Sequence, residues 1–167
     1  WGCDVPFTRP TELARDETPG IDVVLHALEQ LPEYDYLILL QPTTPLRTVQ
    51  DIDGCFEFFI QQKANVCVSV SEVSKSPYWM YTLNEENHMN PILDTNFPRR
   101  QDCPKVYSLN GVLYIADTRW LMQHRAFVTE ETLAYQMSSS RSLDIDTEWD
   151  MKLCENILSA SQNDSNR

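Results

Sequence analysis

Apolar and polar positions alternate along this chain in two periods, one helical and one strand-like. Asp22 to Gln30 carries Val23, Val24, Ala27 and Leu28 on one helical face, between Pro19-Gly20 and Pro32. The apolar run Leu37 to Leu40 reads as a buried strand, stopped by Pro42 and Pro45. Thr48 is placed to cap a helix from about Val49 to Gln62, and Asn65 to Val70 forms a second strong strand. That strand–helix–strand order predicts a parallel βαβ unit with a right-handed crossover. The rhythm breaks between 72 and 105, a stretch rich in Pro, Asn and aromatics such as Tyr78, Trp79 and Tyr81. An interruption of that length reads as a lid, a binding excursion or an interface arm, or else Tyr78 to Tyr81 is ordinary strand core. Regular structure resumes at Val106. Asn110-Gly111 predicts a turn feeding a strand over Val112 to Ala116, and a short helix lies around Trp120 to His124. Short strands at Leu133 to Met137 and Leu143 to Ile145, then a helix from about Thr147 to Leu158, close the domain. The Ser- and Asn-rich tail from Ser159 is expected to fray.

Two segments add chemistry to this pattern. In Leu143-Asp144-Ile145-Asp146 the acids alternate with apolar residues, so in a strand both carboxylates leave one face. Such a pair can hold a hard divalent cation beside phosphate oxygens. Equally, Asp146 or Thr147 can cap the following helix while Asp144 sits on a solvated face. The second segment is Gln41 to Arg47. Gln41 stands at the carboxyl end of an apolar strand, where open α/β sheets place their ligands. Thr43 and Thr44 fit either ligand contact or a tight turn closed by their hydroxyls. Arg47 fits either an anion or a surface ion pair with Asp51.

A length of 167 residues and a hydrophobic share of 42% suit one globular domain, spanning residues 1–167. A net charge of −12 argues against nucleic acid as a partner. Against that acidic background Arg9, Arg47, Arg99 and Arg100 fall in loop-like segments, the places where an anion site or surface ion pairs would use them. Five cysteines without metal-ligand spacing suit a reducing, cytoplasmic setting, with Cys55, Cys67 and Cys154 in core patterns. The three histidines also lack ligand spacing, and His26 reads as packed or solvated. No apolar run reaches membrane-spanning length, so no membrane partner is expected. The chain opens on Trp1 rather than an initiator methionine and enters mid-pattern at Val5-Pro6-Phe7, as a fragment or processed product would.

Taken together, the blocks Arg9-Pro-Thr-Glu-Leu-Ala14, Leu39-Leu-Gln-Pro-Thr-Thr-Pro-Leu-Arg47, Arg99-Arg-Gln-Asp102, Asn110-Gly-Val-Leu-Tyr-Ile115 and Ser142-Leu-Asp-Ile-Asp-Thr-Glu148 resemble the CMP-sialic acid synthetases, or acylneuraminate cytidylyltransferases. They run in family order over nearly the whole chain. The resemblance implies an α/β, three-layer Rossmann-like nucleotidyltransferase fold with a mostly parallel sheet and a protruding dimerisation arm at 72–105. It implies an enzyme that transfers CMP from CTP to a nonulosonic (sialic-type) acid with Mg²⁺ and releases pyrophosphate, acting as a homodimer. Asp146 and Asp144 would be the catalytic metal carboxylates, with Arg9 on the nucleotide. Gln41, Arg100, Arg99, Asn110 and Tyr114 would serve the sugar acid. No general base is assigned. The family's first strand and Gly-rich, basic phosphate loop have no counterpart in this chain, which has only 4 glycines. The expectation is therefore an N-terminally truncated domain. Gly20 stands where a hydroxyl residue near the nucleotide is expected, and Ser108 and Trp79 where some relatives carry basic sugar-binding residues. Three alternatives follow: a cytidylyltransferase for a legionaminic, pseudaminic or deoxyoctulosonic acid; a catalytically incomplete sugar-binding or assembly module; a plain acidic metal-binding domain.

Overall fold

The computed structural model describes residues 2–95 and 97–165, with side chains except those of Arg100 and residues 161–165. Four α-helices and six strands follow along it: α1 (Gly20–Gln30), β1 (Tyr36–Leu39), α2 (Val49–Gln61), β2 (Val66–Glu72), β3 (Tyr81–Leu83), β4 (Met89–Pro91), β5 (Tyr107–Asp117), α3 (Thr118–His124), β6 (Leu133–Gln136) and α4 (Glu148–Ser165). The main sheet has the order β1-β5-β2-β6. β5 pairs antiparallel with both β1 and β2, and only β2 and β6 pair in parallel. The sheet is thus mixed, not mostly parallel. β1 and β2 do run the same way, as a strand–helix–strand unit requires, but β5 inserts between them. Local pattern fixes the direction of β1 and β2; it holds no information on which later strand fills the gap.

Neighbours along a strand point to opposite faces, and each face has its own core. Cys67 and Ile115 face α2, where Cys55, Phe59 and Leu113 complete one apolar cluster. Val66 and Ala116 face the other way, into a cluster with Val24, Leu25 and Leu28 of α1 and Leu121 of α3. Helices therefore cover both faces, giving three layers. The register carries this through the sheet: Ile115 lies opposite both Ile38 and Cys67. Cys55, Cys67 and Cys154 are buried as their pattern predicted, and His26 packs edge-on against Phe7 at 5.5 Å.

Four other expectations change. Asn110-Gly111 does not precede a strand as a turn; it lies inside the 11-residue β5. Leu143 to Ile145 forms no strand and joins no sheet. Its one such tie is the Ile145 N–H, which donates to the Thr43 carbonyl at 2.9 Å. The tail stays helical to Ser165. Tyr78 to Tyr81 is not core: Trp79, Met80 and Tyr81 are each at least 40% exposed beside the small β3–β4 hairpin. Among the described residues no helix is long and apolar enough to cross a membrane.

Candidate active site

The strands β1, β2 and β6 all point one way, and the segments leaving the carboxyl ends of β1 and β6 meet residues of β2 and β5 at one cavity. From β1 comes Gln41, on a loop held by its own polar groups. Thr44 is fully buried, and its hydroxyl donates to the Gln41 carbonyl at 3.1 Å. Arg47 Nη1 donates to the same carbonyl at 2.7 Å, to Thr44 O at 2.8 Å and to Thr44 Oγ1 at 2.7 Å. Arg47 is therefore spent inside the loop, without the expected ion pair to Asp51, and burial lowers its pKa. Thr48 then caps α2 as its position predicted, in a reciprocal capping box with Asp51.

From the middle of the sheet comes a bulge. Val68 lies opposite Tyr114, but Val70 lies opposite Leu109, so β5 carries extra residues against Ser69. The buried Ser69 hydroxyl fills the gap in the ladder. It accepts from the Leu113 N–H at 2.8 Å and donates to Asn110 Oδ1 at 2.6 Å. Asn110 Oδ1 also accepts from the Val112 N–H, and Asn110 Nδ2 donates to Ser142 Oγ at 3.0 Å. The bulge turns at Gly111, where φ is +70°. A Cβ there would lie 2.6 Å from Gln41 Oε1 and 3.4 Å from Asp144 Oδ2. The backbone conformation favours glycine, while the Asp144 contact would be an ordinary one and Gln41 Oε1 would have to shift.

From beyond β6 comes Asp144. Its Oδ1 is buried with no hydrogen-bond partner, the one such side-chain oxygen or nitrogen among the described residues. Gln41, Asn110, Tyr114 and Asp144 line a cavity of about 280 Å³, with Ser108 and Ser142 on its wall. Burial, and then the charge of Asp144, raises the pKa of the Tyr114 phenol. A larger cavity of about 520 Å³ lies against α3, lined mainly by apolar residues such as Leu28, Leu31 and Met122. Glu29, Thr118, Arg119 and Gln123 also line it.

The structure therefore brings together Gln41, Asn110, Tyr114 and Asp144. Other expected site residues lie outside this lining. Asp146 is exposed, and Thr147 caps α4: Asp150 Oδ2 accepts from the Thr147 N–H and hydroxyl at 2.8 and 2.6 Å. Arg9 is exposed ahead of a 3₁₀ turn at Thr11–Leu13. Arg99 forms a surface ion pair with Asp102 at 2.8 Å. The Arg100 side chain lies outside the described residues. Three supporting groups escaped the sequence reading. Ser69 was visible as a polar residue within an apolar strand, and Ser142 stood in a quoted motif. Arg141, which pairs with the buried Asp51, had no local signal.

No protein-family model matches the chain. An N-acylneuraminate cytidylyltransferase of Streptococcus agalactiae serotype V is 32% identical over 148 residues. That match covers 87% of this chain but 35% of the relative, so the chain spans about a third of that protein's length. A CMP-N,N'-diacetyllegionaminic acid synthase of Legionella pneumophila is 31% identical over 97% of this chain and 72% of its own length. The post-translational flagellin modification protein B of Campylobacter coli is 30% identical over 95% of this chain and 69% of its own. Among solved structures, a CMP:2-keto-3-deoxy-manno-octonic acid synthetase complexed with CTP superposes with a TM-score of 0.63. It shares 12% identity over 87% of this chain and 70% of that one, which supports the fold alone. On the strength of the Legionella relative, matched along more than two thirds of its length, this chain belongs to the family that the CMP-N,N'-diacetyllegionaminic acid synthases share with the N-acylneuraminate cytidylyltransferases.

Proposed function

We propose that this domain carries the sugar-acid half of a CTP-dependent cytidylyltransferase, which joins CMP to a nonulosonic acid and releases pyrophosphate. The observation that supports this best is the meeting of Gln41 and Asp144 over Gly111, with Asp144 Oδ1 buried and unpartnered. An orphaned carboxylate oxygen in a polar cavity is poised for a cation or a donor that arrives with substrate. Among the described residues no set of three His, Cys, Asp or Glu side chains gathers to cage a metal. That suits Mg²⁺, which commonly takes one or two carboxylates and completes its shell with water and substrate phosphate. Asp144 would hold it, joined by the exposed Asp146 on the same segment. Bound there, Mg²⁺ would supply charge neutralisation at the phosphates.

The chain's own groups do the rest. Gln41 offers a carboxamide, fixed by the Arg47-held loop, to sugar hydroxyls. Tyr114 offers a phenol that stays protonated and can donate. Asn110 contributes mainly by shape, since Ser69, Val112 and Ser142 already engage its amide. Arg99 and Arg100 would meet the sugar carboxylate or a phosphate, and Arg9 the nucleotide. The anomeric hydroxyl would attack the α-phosphorus of CTP as the P–O bond to pyrophosphate breaks. Alignment of those two oxygens is the main contribution a protein can make to such a displacement. The proton lost by the hydroxyl has no dedicated base in this reading.

The hairpin arm would pair two copies into a homodimer. The apolar side chains Leu83, Met89 and Ile92 are each at least 55% exposed on or beside it. β1 is an edge of the described sheet, and Ile38 and the adjoining Leu40 are each 38% exposed there. A sugar acid of the legionaminic type is the second substrate, favoured by the Legionella relative matched over 72% of its length. Pyrophosphate release from CTP and Mg²⁺ with a panel of nonulosonic acids tests all of this, using this chain and an upstream-extended one. Release specific to one acid supports the transferase. Absence of release from both chains with every acid overturns it.

A further inference from the structure

We propose that the ion pair between the buried Asp51 and the half-exposed Arg141 sets the spacing between the Gln41 loop and the Asp144 segment, which makes both of them positioning residues for cytidylyl transfer; this rests on the site reading given above. The two residues lie 90 positions apart in sequence. Asp51 belongs to the first turn of α2, immediately after the Gln41 loop. Arg141 ends a 3₁₀ turn at Ser139–Arg141, immediately before Ser142 and Asp144. Their contact is two-pronged. Arg141 Nε donates to Asp51 Oδ2 at 2.8 Å, and Nη2 donates to Oδ1 at 2.9 Å.

A helix cap alone does not call for this arrangement. Thr48 already uses Asp51 Oδ2, donating its N–H at 2.9 Å and its hydroxyl at 2.8 Å. An exposed acid would complete that box equally well, yet the Asp51 side chain is 5% exposed. An ion pair whose arginine is half exposed gains little net stability, because water screens it; what a two-pronged arginine–carboxylate contact adds is a fixed geometry. Here there is a geometry to fix. The Asp144 segment joins no sheet, and it is tied to the rest of the site by two neutral hydrogen bonds. These run from Ile145 N–H to Thr43 O and from Asn110 Nδ2 to Ser142 Oγ. Arg141 adds the charged, directional tie. The Gln41 loop is in turn braced by Arg47 and by the Thr48–Asp51 box. Asp51 is thus the shared anchor of both walls that close over Gly111.

The test uses this chain with Arg141→Met, which keeps the stem and leaves the cap intact. Amide exchange of Ile145 should accelerate more than tenfold, while amides in α1 and α3 keep their rates. The Mg²⁺ concentration that half-saturates transfer should rise at least fivefold, measured well below the thermal midpoint. Arg141→Lys should recover part of both effects. Leu121→Ala, in the opposite core, serves as a destabilised control and should leave both within twofold of wild type. Unchanged Ile145 exchange in Arg141→Met, or an Mg²⁺ requirement shifted equally by Leu121→Ala, overturns the positioning role. Should Arg141→Met not fold, Arg141→Lys carries the same two readouts with the same signs. Should wild type transfer no CMP at all, the site reading fails instead, and Ile145 exchange still decides whether the pair holds the segment.

Discussion

The Gln41–Asp51 loop and the 72–105 arm are both irregular, proline-containing excursions, and they are built in opposite ways. In the loop almost every polar group has a partner inside the same segment. Thr44 is sealed, Arg47 binds two carbonyls and a hydroxyl, and Thr48 and Asp51 cap each other. The arm has a short β3–β4 ladder, a Trp79 indole donating to Phe97 O, and a Tyr78–Phe97 edge contact. Its larger apolar side chains stay outside: Leu83 is 62% and Met89 60% exposed. The loop is complete without a partner, so it can present Gln41 in one orientation before any ligand arrives. The arm leaves apolar surface exposed, which a second copy would cover in the proposed dimer. Under the proposed dimer, preorganisation and association would fall to different segments of one chain.

The sharpest way to break the comparison is to disturb the point the loop was built to reach. Gly111→Ala puts a methyl 2.6 Å from Gln41 Oε1 and forces alanine into φ +70°. Expected losses are roughly 1–2 kcal/mol of stability from the backbone and about a hundredfold in turnover from misplaced contacts. Pyrophosphate release and a urea titration measure the two separately. A tolerated Gly111→Ala would mean that Gln41 is free to move and the loop is not preorganised. Asp144→Ala and Asp146→Ala follow. Both should abolish most turnover with the fold intact by circular dichroism, and the loss for Asp144 should be the larger because its oxygen is buried. Wild-type-like turnover in either variant removes that residue from the metal site.

The loop itself should yield a stability effect. Arg47→Met removes the charged donor from the Gln41 and Thr44 carbonyls and the Thr44 hydroxyl, and loss of hydrogen bonds to a charged donor costs about 1.5–3 kcal/mol. A denaturant midpoint near wild type would show that the loop holds without its arginine. The arm should give the reverse result. Leu83→Asp should leave the denaturant midpoint nearly unchanged and shift sedimentation from dimer toward monomer at micromolar concentration. A dimer as tight as wild type would place the association surface elsewhere.

How much of this was readable in the chain follows the same division. Groups that act on near neighbours announced themselves. Thr48 was legible as a cap, Pro42 and Pro45 as a strand stop, and Cys55 and Cys67 as core, because each effect is local and periodic. The Asp144–Asp146 alternation was legible as a pair, though only Asp144 enters the cavity; Thr147 and Asp150 turn the chain into α4 at once. Long-range choices were silent. Nothing around Val112 shows that β5 inserts between β1 and β2, and nothing around Arg141 shows that its partner is Asp51. Asn110-Gly111 was misread because the same dipeptide serves a turn and a bulge. What separates them is Ser69, which stands on another strand and completes the ladder with its hydroxyl.

The smallest expected effect follows from the same ion pair. Burial pushes the Asp51 carboxyl up, but hydrogen bonds from Arg141 and Thr48, with the charge of Arg141, outweigh it and hold the pKa below its ordinary 3.8. A carboxylate depressed in the folded state binds fewer protons there than in the unfolded chain. Its contribution is therefore present above the ordinary value and is lost as pH falls toward the folded one. Lowering the pH from neutrality to 5 should leave this contribution intact, and it should decline below about 4. Arg141→Met removes the first of the lowering contacts. Its thermal midpoint should start lower at pH 7 and fall less steeply below pH 4, so that the two curves converge in acid. Parallel curves over that range would show that Asp51 titrates alike with and without its arginine, and that Thr48 alone holds the loop's last anchor in its charged form.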